Sequence, residues 1–273
     1  MYKRQTYNNN IKNILLLGID KPELGEQKFY RTAGQSDVMM VLSMNMKTKE
    51  YFIVTINRDL AVPVENYSAI GESYGFVTEQ ICLAYAYGDG TRISGNNAMK
   101  SVHFLLGDDV PFLGYIAAPF SIVSIMADAV DGVPVVIEDD FTGVDDTFKI
   151  GQTVVLRGAH AETFCRARYY MKTSYNNENR MTRQIAFCTS FINKAKSTLT
   201  AKQAVQMYDD LMDMMVTDMG KKDITKWILN AYDYTFKGFY RIDGEYGELQ
   251  HNANSMIVDK EAVKALVNEL YFY

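Results

Sequence analysis

The sequence contains few cysteines and few histidines, and neither residue type is clustered. Cys82, Cys165 and Cys188 are far apart, odd in number and without CxxC spacing. The three histidines are scattered and form no HExxH motif. These absences argue against a disulfide framework and against a zinc site with the usual ligand spacing.

Long apolar runs are also absent. No stretch reaches about 18 apolar residues, the approximate length that a membrane-spanning helix needs. The amino-terminal MYKRQTYNNN is polar, and no hydrophobic segment resembling a signal peptide follows it. We therefore expect the sequence as written to form a soluble protein, with residues 1–10 disordered or the remnant of a linker.

Positive charge is scarce except in one stretch. The chain has 28 Lys+Arg against 33 Asp+Glu, with a formal net charge of -5 and a pI near 5.3. Because a nucleic-acid surface spreads basic residues over a face and raises the pI, no nucleic-acid partner is expected. Residues 165–184, CRARYYMKTSYNNENRMTRQ, carry four arginines and one lysine against one acid. This local cluster predicts a binding site for a small anion.

The first strands are the clearest structural signal. With 273 residues, of which 48% are hydrophobic, the chain can build a substantial core. Residues 11–19, IKNILLLGI, are typical of a strand buried on both faces. VMMVLSMN and YFIVTI, separated by a polar segment, predict a hairpin whose outer ends, Ser36-Asp37 and Asn57-Arg58-Asp59, are neighbours. The expected fold is α/β: a single α-β-α layered domain at 11–273, with a central mixed sheet flanked by helices.

The remaining patterns are mainly helical. Residues 61–90 are irregular and predict a loop with a short helix at 79–87, whereas VPVVI and GFYRI predict two further strands. Helices are predicted at 96–106, 120–130, 158–166, 180–196, 201–215, 222–232 and 259–270. The domain is thus expected to have a core at 11–196 and a helical carboxy-terminal part at 197–273.

The arginines of the cationic stretch are spaced to share one side of the chain. Arg166 and Arg168 lie on one side if the segment leaving the helix is extended. Arg180, Arg183 and Gln184 have i, i+3, i+4 spacing and share a helix face, preceded by an asparagine that can cap the helix. The planar guanidinium binds phosphate oxygens in pairs and stays charged. The alternative is a solvated helix face that carries surface arginines.

Two aspartates lie at the ends of predicted strands. Asp20 follows the first strand and Asp37 begins the second. Carboxylates beside a phosphate-binding cluster are suited to Mg²⁺, which takes oxygen ligands from protein, water and phosphate. The alternative is that each aspartate is an ordinary loop or capping acid.

A hydrolase motif is a minor alternative. Residues 71–75, GESYG, match G-x-S-x-G, with Ser73 in the position of the nucleophile of α/β-hydrolases. That motif must join a buried strand to a helix, and the preceding VENYSAI is a poor strand.

Several segments occur in a recognisable order. NILLLGID, SDVMMVLSMNMKTKEYFIVTINRDL, ICLAYAYGDG, FLGYIAAPFSIVSIMADAVDGVPVVI and RARYY…NRMTRQ together resemble the LytR-CpsA-Psr family of bacterial cell-wall assembly proteins. The resemblance implies transfer of a glycopolymer, such as a teichoic acid or capsular polysaccharide, from a polyprenyl-pyrophosphate carrier to peptidoglycan or a surface protein. It also implies Mg²⁺, an arginine-rich pyrophosphate site and a hydrophobic tunnel for the polyprenyl chain. The expected location is the extracytoplasmic face of the membrane, behind an anchor that this sequence lacks.

The resemblance implies a role for each candidate residue by position. Asp20 and Asp37 match the metal-associated acids. The implied catalytic residues are Arg58, Asp59 and Asp37, and either aspartate is a candidate for assisting deprotonation of the acceptor hydroxyl. The implied pyrophosphate-binding residues are Arg58, Arg166, Arg168, Arg180 and Gln184, with Arg31 nearest to the position of a missing arginine.

Six positions depart from the family pattern. Gln35, Asn57, Gln80, Cys82, Asn177 and Asn179 stand, in that order, where an arginine, a proline, a lysine, an asparagine, an aspartate and a glycine are usual. Two of these changes remove a cation and one removes an acid. The alternative function is therefore a non-catalytic member that binds polyprenyl pyrophosphate or a wall glycan.

Overall fold

The structure is a computed structural model that describes residues 6–168, 171, 177–249 and 252–273. The chain divides into two compact units. The first unit comprises Met1–Pro119, Met214–Ile224 and Asp233–Tyr273, and the second comprises Phe120–Asp213 and Thr225–Tyr232.

The secondary structure contains strands and helices throughout the described residues. The strands are β1 Ile11–Ile19, β2 Ser36–Asn45, β3 Glu50–Ile56, β4 Ala61–Tyr67, β5 Ser73–Gln80, β6 Phe112–Pro119, β7 Val133–Val136, β8 Thr153–Leu156, β9 Val216–Thr217, β10 Thr235–Ile242, β11 Gly244–Leu249 and β12 Asn252–Val258. The helices are α1 Leu83–Ala86, α2 Arg92–Leu106, α3 Ile122–Ala129, α4 Gly158–Arg166, α5 Asn177–Thr198, α6 Ala201–Leu211, α7 Lys221–Asp233 and α8 Lys260–Tyr271, and a short 3-10 helix covers Met212–Met214. None of the helices in this described part is both long and apolar enough to cross a membrane.

The first unit contains a six-stranded mixed sheet. Its strand order is β10-β3-β2-β1-β6-β9. The pairs β1–β2, β2–β3 and β6–β9 are antiparallel, whereas β1–β6 and β3–β10 are parallel. Leu15 and Ile19 of β1 are fully buried, and α1 and α2 pack on β2 and β6. The predicted α/β fold with a central mixed sheet flanked by helices is confirmed.

The predicted hairpin of β2 and β3 is also confirmed. Asn45 pairs with Glu50 at the closed end. The Asn45 side chain accepts hydrogen bonds from the amides of Lys47 and Thr48 at 3.0 and 3.1 Å, an arrangement that replaces missing backbone bonds in a turn. Because the turn fixes the register, the far ends of the hairpin lie side by side, as the sequence predicts.

The prediction of a loop at 61–90 is wrong. Residues in this range form the antiparallel hairpin of β4 and β5, and only the short helix α1 was anticipated. Val62 and Val64 of β4 face the core, but β5 is largely exposed. The exposed β5, with the sequence SYGFVTEQ, lacks the regular apolar alternation by which strands are predicted.

The second unit combines short strands with helices. β7 and β8 form a two-stranded antiparallel sheet, and α4 has its predicted bounds. α5 begins at Asn177, three residues before the predicted start. Asn179 therefore lies inside the first helical turn and is not the N-cap that the sequence predicts. Glu178 favours this longer helix, because an acid in the first turn interacts well with the helix dipole.

The carboxy-terminal part of the chain contains the predicted helices and the predicted GFYRI strand, together with strands that the sequence did not indicate. The three expected helices are present as α6, α7 and α8, but four strands accompany them. β10, which includes the predicted GFYRI strand, pairs in parallel with β3. β11 and β12 form a separate hairpin that was not predicted, because their glycines and asparagines have low strand propensity.

Part of the amino-terminal segment is ordered. Tyr7 forms an isolated antiparallel bridge with Phe272, and the Asn8 amide donates to the Tyr271 carbonyl at 2.8 Å. For residues 6–10, this pairing corrects the prediction of disorder or a linker remnant.

Candidate active site

Arg58 lies at the centre of a buried polar cluster in the first unit. Its Nη1 forms an ion pair with Asp37 Oδ1, and its Nη2 donates to Gln35 Oε1. The side chains of Arg58 and Asp37 are only 11% and 10% exposed. The β2–β3 hairpin produces this contact, because it brings the start of β2 beside the residues that follow β3. Gln35 thus supplies an amide acceptor to the guanidinium.

Asp59 is the second carboxylate of this cluster. Its Oδ1 lies 3.4 Å from Arg58 Nε and accepts a hydrogen bond from Gln80 Nε2 at 3.2 Å. Its Oδ2 accepts from the Tyr246 hydroxyl at 3.4 Å. Sequence reasoning missed Tyr246, since it lies 187 residues from Asp59 and no motif marks it. The Asp59 carboxylate is consequently held by groups from three separate segments.

Asp20 is attached to the same region through the main chain of Gln35. The Gln35 amide donates to Asp20 Oδ1 at 2.6 Å. The amides of Asp20 and Asp37 both donate to the Gln35 carbonyl, at 3.0 and 3.1 Å. The two predicted metal-associated acids therefore flank one residue.

A pair of carboxylates suits Mg²⁺ better than it suits a cation that takes all its ligands from the protein. Within the described residues, no group of three or more His, Cys, Asp and Glu side chains is arranged to hold a metal ion. Mg²⁺ usually takes one or two carboxylates and completes its shell with water and substrate phosphate. Asp20 and Asp37 supply two carboxylates of this kind.

Gly34 allows the close approach that positions Asp20. Its φ of +89° lies in a region that side chains rarely adopt. A Cβ there would lie 2.7 Å from Lys21 Cγ, 2.9 Å from Ile19 Cγ2 and 3.0 Å from Asp20 Oδ1. Only glycine is compatible with both the backbone conformation and the contact.

Replacing Gly34 with alanine is expected to destabilise the protein by about 1–3 kcal/mol, because strained backbone and steric overlap add. The measurement is urea unfolding of the intact chain. Gly75→Ala is the matched control, since Gly75 has a φ of +83° but a Cβ there meets nothing within 4 Å. Equal losses for the two variants would show that the overlap with Lys21, Ile19 and Asp20 contributes nothing.

Arg31 lies beside the end of β4 in the first unit. Its guanidinium stacks 4.1 Å above the Tyr87 ring and contacts Asn66 and the Tyr67 carbonyl. Burial, together with the hydrogen bond that Tyr87 donates to Glu79, raises the pKa of Tyr87 to about 12. Arg31 has a φ of 67°, a strained conformation for a side chain of this size. Its proposed replacement of the missing family arginine stays a prediction.

Arg166 and Arg168, in the second unit, line a common cavity. The cavity has a volume of about 350 Å³ and also exposes Glu162 and Thr163. Arg166 donates to Glu162 Oε1 at 2.7 Å, and its guanidinium lies 5.5 Å from the centre of the Phe120 ring. The Arg166 side chain is 47% exposed, so it retains access to solvent.

Arg180 is buried at the start of α5. Only 3% of its surface is exposed. Its Nε and Nη2 both donate to Asn177 Oδ1, at 3.1 and 2.7 Å. Asn177, the position where the family usually has an aspartate, thus keeps the acceptor oxygen and loses the negative charge.

Arg183 and Gln184 bind the carboxy-terminal end of α4. Arg183 donates to the carbonyls of Phe164 and Ala167 and forms an ion pair with Asp139. Gln184 Nε2 donates to the Cys165 carbonyl at 3.2 Å. The last carbonyls of a helix lack partners within the helix, so these side chains satisfy them. This contact with α4 was not anticipated for either residue, and the predicted pyrophosphate role of Gln184 stays a prediction.

The predicted site residues therefore form two groups. Asp20, Arg31, Asp37, Arg58 and Asp59 belong to the first unit. Arg166, Arg168, Arg180 and Gln184 belong to the second unit.

A larger, mostly apolar cavity of about 760 Å³ lies within the first unit, between α2, β12 and α8. Val62, Leu106 and Val263 are among its lining residues. The tunnel for a polyprenyl chain that the family resemblance implies stays a prediction.

The hydrolase alternative is contradicted. Ser73 begins β5 in a β-hairpin, and its hydroxyl donates to Glu65. The nucleophile elbow of α/β-hydrolases instead requires a sharp turn from a strand into a helix.

Comparison with known proteins identifies relatives over nearly the full chain. Residues 2–271 match the LytR_cpsA_psr family. The polyisoprenyl-teichoic acid–peptidoglycan teichoic acid transferase TagU of Enterococcus faecalis is 25% identical over 275 residues, which cover 98% of this chain and 82% of TagU.

Solved structures share the fold. Protein gbs0355 from Streptococcus agalactiae superposes with a TM-score of 0.74 and 20% identity, covering 95% of this chain and 86% of that protein. The structure of TagT bound to LI-WTA gives a TM-score of 0.70 and 19% identity, with coverages of 99% and 93%.

Proposed function

The chain belongs to the LytR_cpsA_psr family, and on this basis we propose that it transfers a cell-wall glycopolymer from a polyprenyl-pyrophosphate carrier to peptidoglycan or another wall acceptor. The name of the Enterococcus faecalis relative, a teichoic acid transferase, supports a teichoic acid as the glycopolymer class. The action takes place on the extracytoplasmic side of the membrane, where wall polymers are joined.

The observation that carries this proposal is the buried contact of Arg58 with Asp37 and Gln35. A guanidinium that is fixed in advance can stabilise charge that develops on a phosphate oxygen, without reorganising during the reaction. Arg58 is fixed in this way by a carboxylate, an amide and the hairpin that carries it. In the second unit, Arg166 and Arg168 offer two cations beside one cavity, which suits an anionic substrate.

The proposed reaction is a substitution at phosphorus. The acceptor hydroxyl oxygen bonds to the sugar-proximal phosphorus, the bond from this phosphorus to the bridging oxygen breaks, and polyprenyl phosphate leaves with the electron pair. Asp59 accepts the proton of the acceptor hydroxyl in this scheme. Asp37 is less suited to this role, because its ion pair with Arg58 is closer than the one between Arg58 and Asp59.

Asp20 and Asp37 are the residues that would hold Mg²⁺. When bound, the ion supplies positive charge that neutralises the pyrophosphate oxygens and lowers the barrier to P–O cleavage. Within the described residues, the Asp20 side chain accepts the hydrogen bond of the Gln35 amide through Oδ1.

The direct test is a transfer assay with the intact chain. Purified protein, a polyprenyl-pyrophosphate-linked teichoic acid precursor, peptidoglycan and Mg²⁺ are incubated, and glycopolymer bound to peptidoglycan is measured together with released polyprenyl phosphate. Transfer by the wild type, and its loss in Arg168→Ala, would support the proposal. Tight binding of the precursor without transfer would overturn the proposal and support the non-catalytic alternative. The residues that favour this alternative are Gln35, Gln80 and Asn177, which stand where the family pattern has charged residues.

The metal assignment makes a separate prediction. Asp20→Asn is expected to raise the Mg²⁺ concentration for half-maximal transfer by about 10-fold or more, because a charged ligand becomes neutral. The asparagine keeps an oxygen that can accept the Gln35 amide, so the turn should survive. Asp108→Asn, an exposed position in the same unit, is the control. An unchanged Mg²⁺ dependence in Asp20→Asn would remove Asp20 from the metal site.

A further inference from the structure

The β11–β12 hairpin is joined to the backbone around Asp59. The Met256 amide donates to the Asp59 carbonyl at 2.7 Å, and Met256 forms a parallel bridge with Leu60. Met256 is fully buried and lies opposite Tyr246 in the hairpin. The position of Tyr246 is therefore set by main-chain pairing, which places a side chain more accurately than a flexible loop does.

The Tyr246 side chain is half-exposed and donates a hydrogen bond to a buried carboxylate. Tyr246 is 51% exposed, whereas Asp59 is 6% exposed. The Tyr246 hydroxyl lies 3.4 Å from Asp59 Oδ2, and Gln80 Nε2 lies 3.2 Å from Asp59 Oδ1. Each carboxylate oxygen thus has its own donor, so rotation of the carboxylate would break both hydrogen bonds.

We propose that Tyr246 is a positioning residue for Asp59, which it holds, together with Gln80, in the orientation that accepts the proton of the acceptor hydroxyl. This inference rests on the proposed function. Tyr246 acts through Asp59, so its loss should slow the chemical step and leave binding of the lipid-linked donor unchanged. Gln80 contributes the matching contact on the other oxygen, at a position where the family pattern has a lysine.

The test is Tyr246→Phe, which removes the hydroxyl and keeps the ring. In the transfer assay, kcat is expected to fall by about 3- to 10-fold, because the lost hydrogen bond is to a charged group but is long, at 3.4 Å. The KM for the polyprenyl-pyrophosphate-linked donor and the midpoint of urea unfolding are expected to stay at the wild-type values. Tyr74→Phe is the matched control, because Tyr74 is an exposed tyrosine of the same unit outside this cluster.

A double-mutant cycle separates positioning from a general structural effect. In an Asp59→Asn background, Tyr246→Phe should cause no further loss of kcat, because the group that it positions is already changed. Gln80→Met tests the other hydrogen bond to Asp59. It should also lower kcat without raising the KM for the donor.

The outcomes distinguish this inference from the proposed function. A wild-type protein that performs no transfer overturns the proposed function, and the inference with it. A wild type that transfers, with an unchanged kcat in Tyr246→Phe or with losses that multiply in the double variant, overturns the inference alone.

Discussion

Replacing Arg58 with methionine is expected to lower kcat/KM for glycopolymer transfer by about 100- to 1,000-fold, the range seen when a fixed donor to a developing oxyanion is removed. Methionine fills much of the same space but has no charge and no donor. Arg58→Lys keeps the charge and loses the planar fork that contacts Asp37 and Gln35 together. We expect lysine to give an intermediate rate, since a bidentate site is not conserved by this change.

The Arg58→Met variant must also be measured for stability. Asp37 would lose its ion-pair partner while only 10% exposed, and such a change destabilises a protein by about 3–5 kcal/mol. Rates are therefore compared at a temperature and denaturant concentration where unfolding curves show the variant to be folded. Arg157→Met is the control, because the ion pair of Arg157 with Asp131 is largely exposed.

Near-wild-type transfer by folded Arg58→Met would contradict the assignment of Arg58 as the central charge-stabilising group. A loss of stability without a loss of rate would restrict Arg58 to holding the hairpin ends together. Arg58→Lys separates these cases further, because it retains a cation beside Asp37.

The second large effect concerns stability. Arg183→Met is expected to lower the free energy of unfolding by about 3–5 kcal/mol, because Asp139, whose side chain is only 17% exposed, loses its ion pair with Arg183 and two helix-end carbonyls lose a donor. Arg183 is 4% exposed and holds Asp139 together with two carbonyls at the end of α4. The measurement is urea unfolding of the intact chain, followed by circular dichroism.

Arg166→Met is the matched control for Arg183→Met. Arg166 is also at the end of α4, but its ion pair with Glu162 is half exposed and is expected to contribute about 1 kcal/mol or less. The two variants should therefore behave oppositely: Arg166→Met stays stable and loses transfer activity, whereas Arg183→Met loses stability. Equal stability of the two variants would contradict the structural role assigned to Arg183.

Local patterns predicted a large share of the sheet. β1 and the β2–β3 hairpin follow from apolar runs, a pattern that can be recognised without knowledge of distant residues. The meeting of Asp37 and Arg58 follows from the same hairpin, because a short turn fixes which residues lie opposite one another. β5 escaped prediction, since most of its residues are exposed and selection for apolar residues is weak there.

Helix periodicity was a poorer guide to the arginines. Spacing correctly placed Arg180 and Arg183 on one helix face, and both are buried. Spacing did not reveal that Arg183 would bind the end of α4, because that contact depends on how α4 and α5 pack. The N-cap was misplaced for a related reason: asparagine is favourable at N-caps, and two asparagines, Asn177 and Asn179, lie within three residues.

The sequence by itself determined the family, the mixed sheet and the pairing of Asp37 with Arg58. These features depend on ordered motifs, on apolar runs and on a hairpin, all of which are encoded over short distances. Only the tertiary structure decided which polar side chains are buried as supports and which stay accessible, and it alone revealed the contact between Tyr246 and Asp59. The physical reason is that burial and side-chain contacts between residues far apart in sequence arise from packing, which no local pattern records.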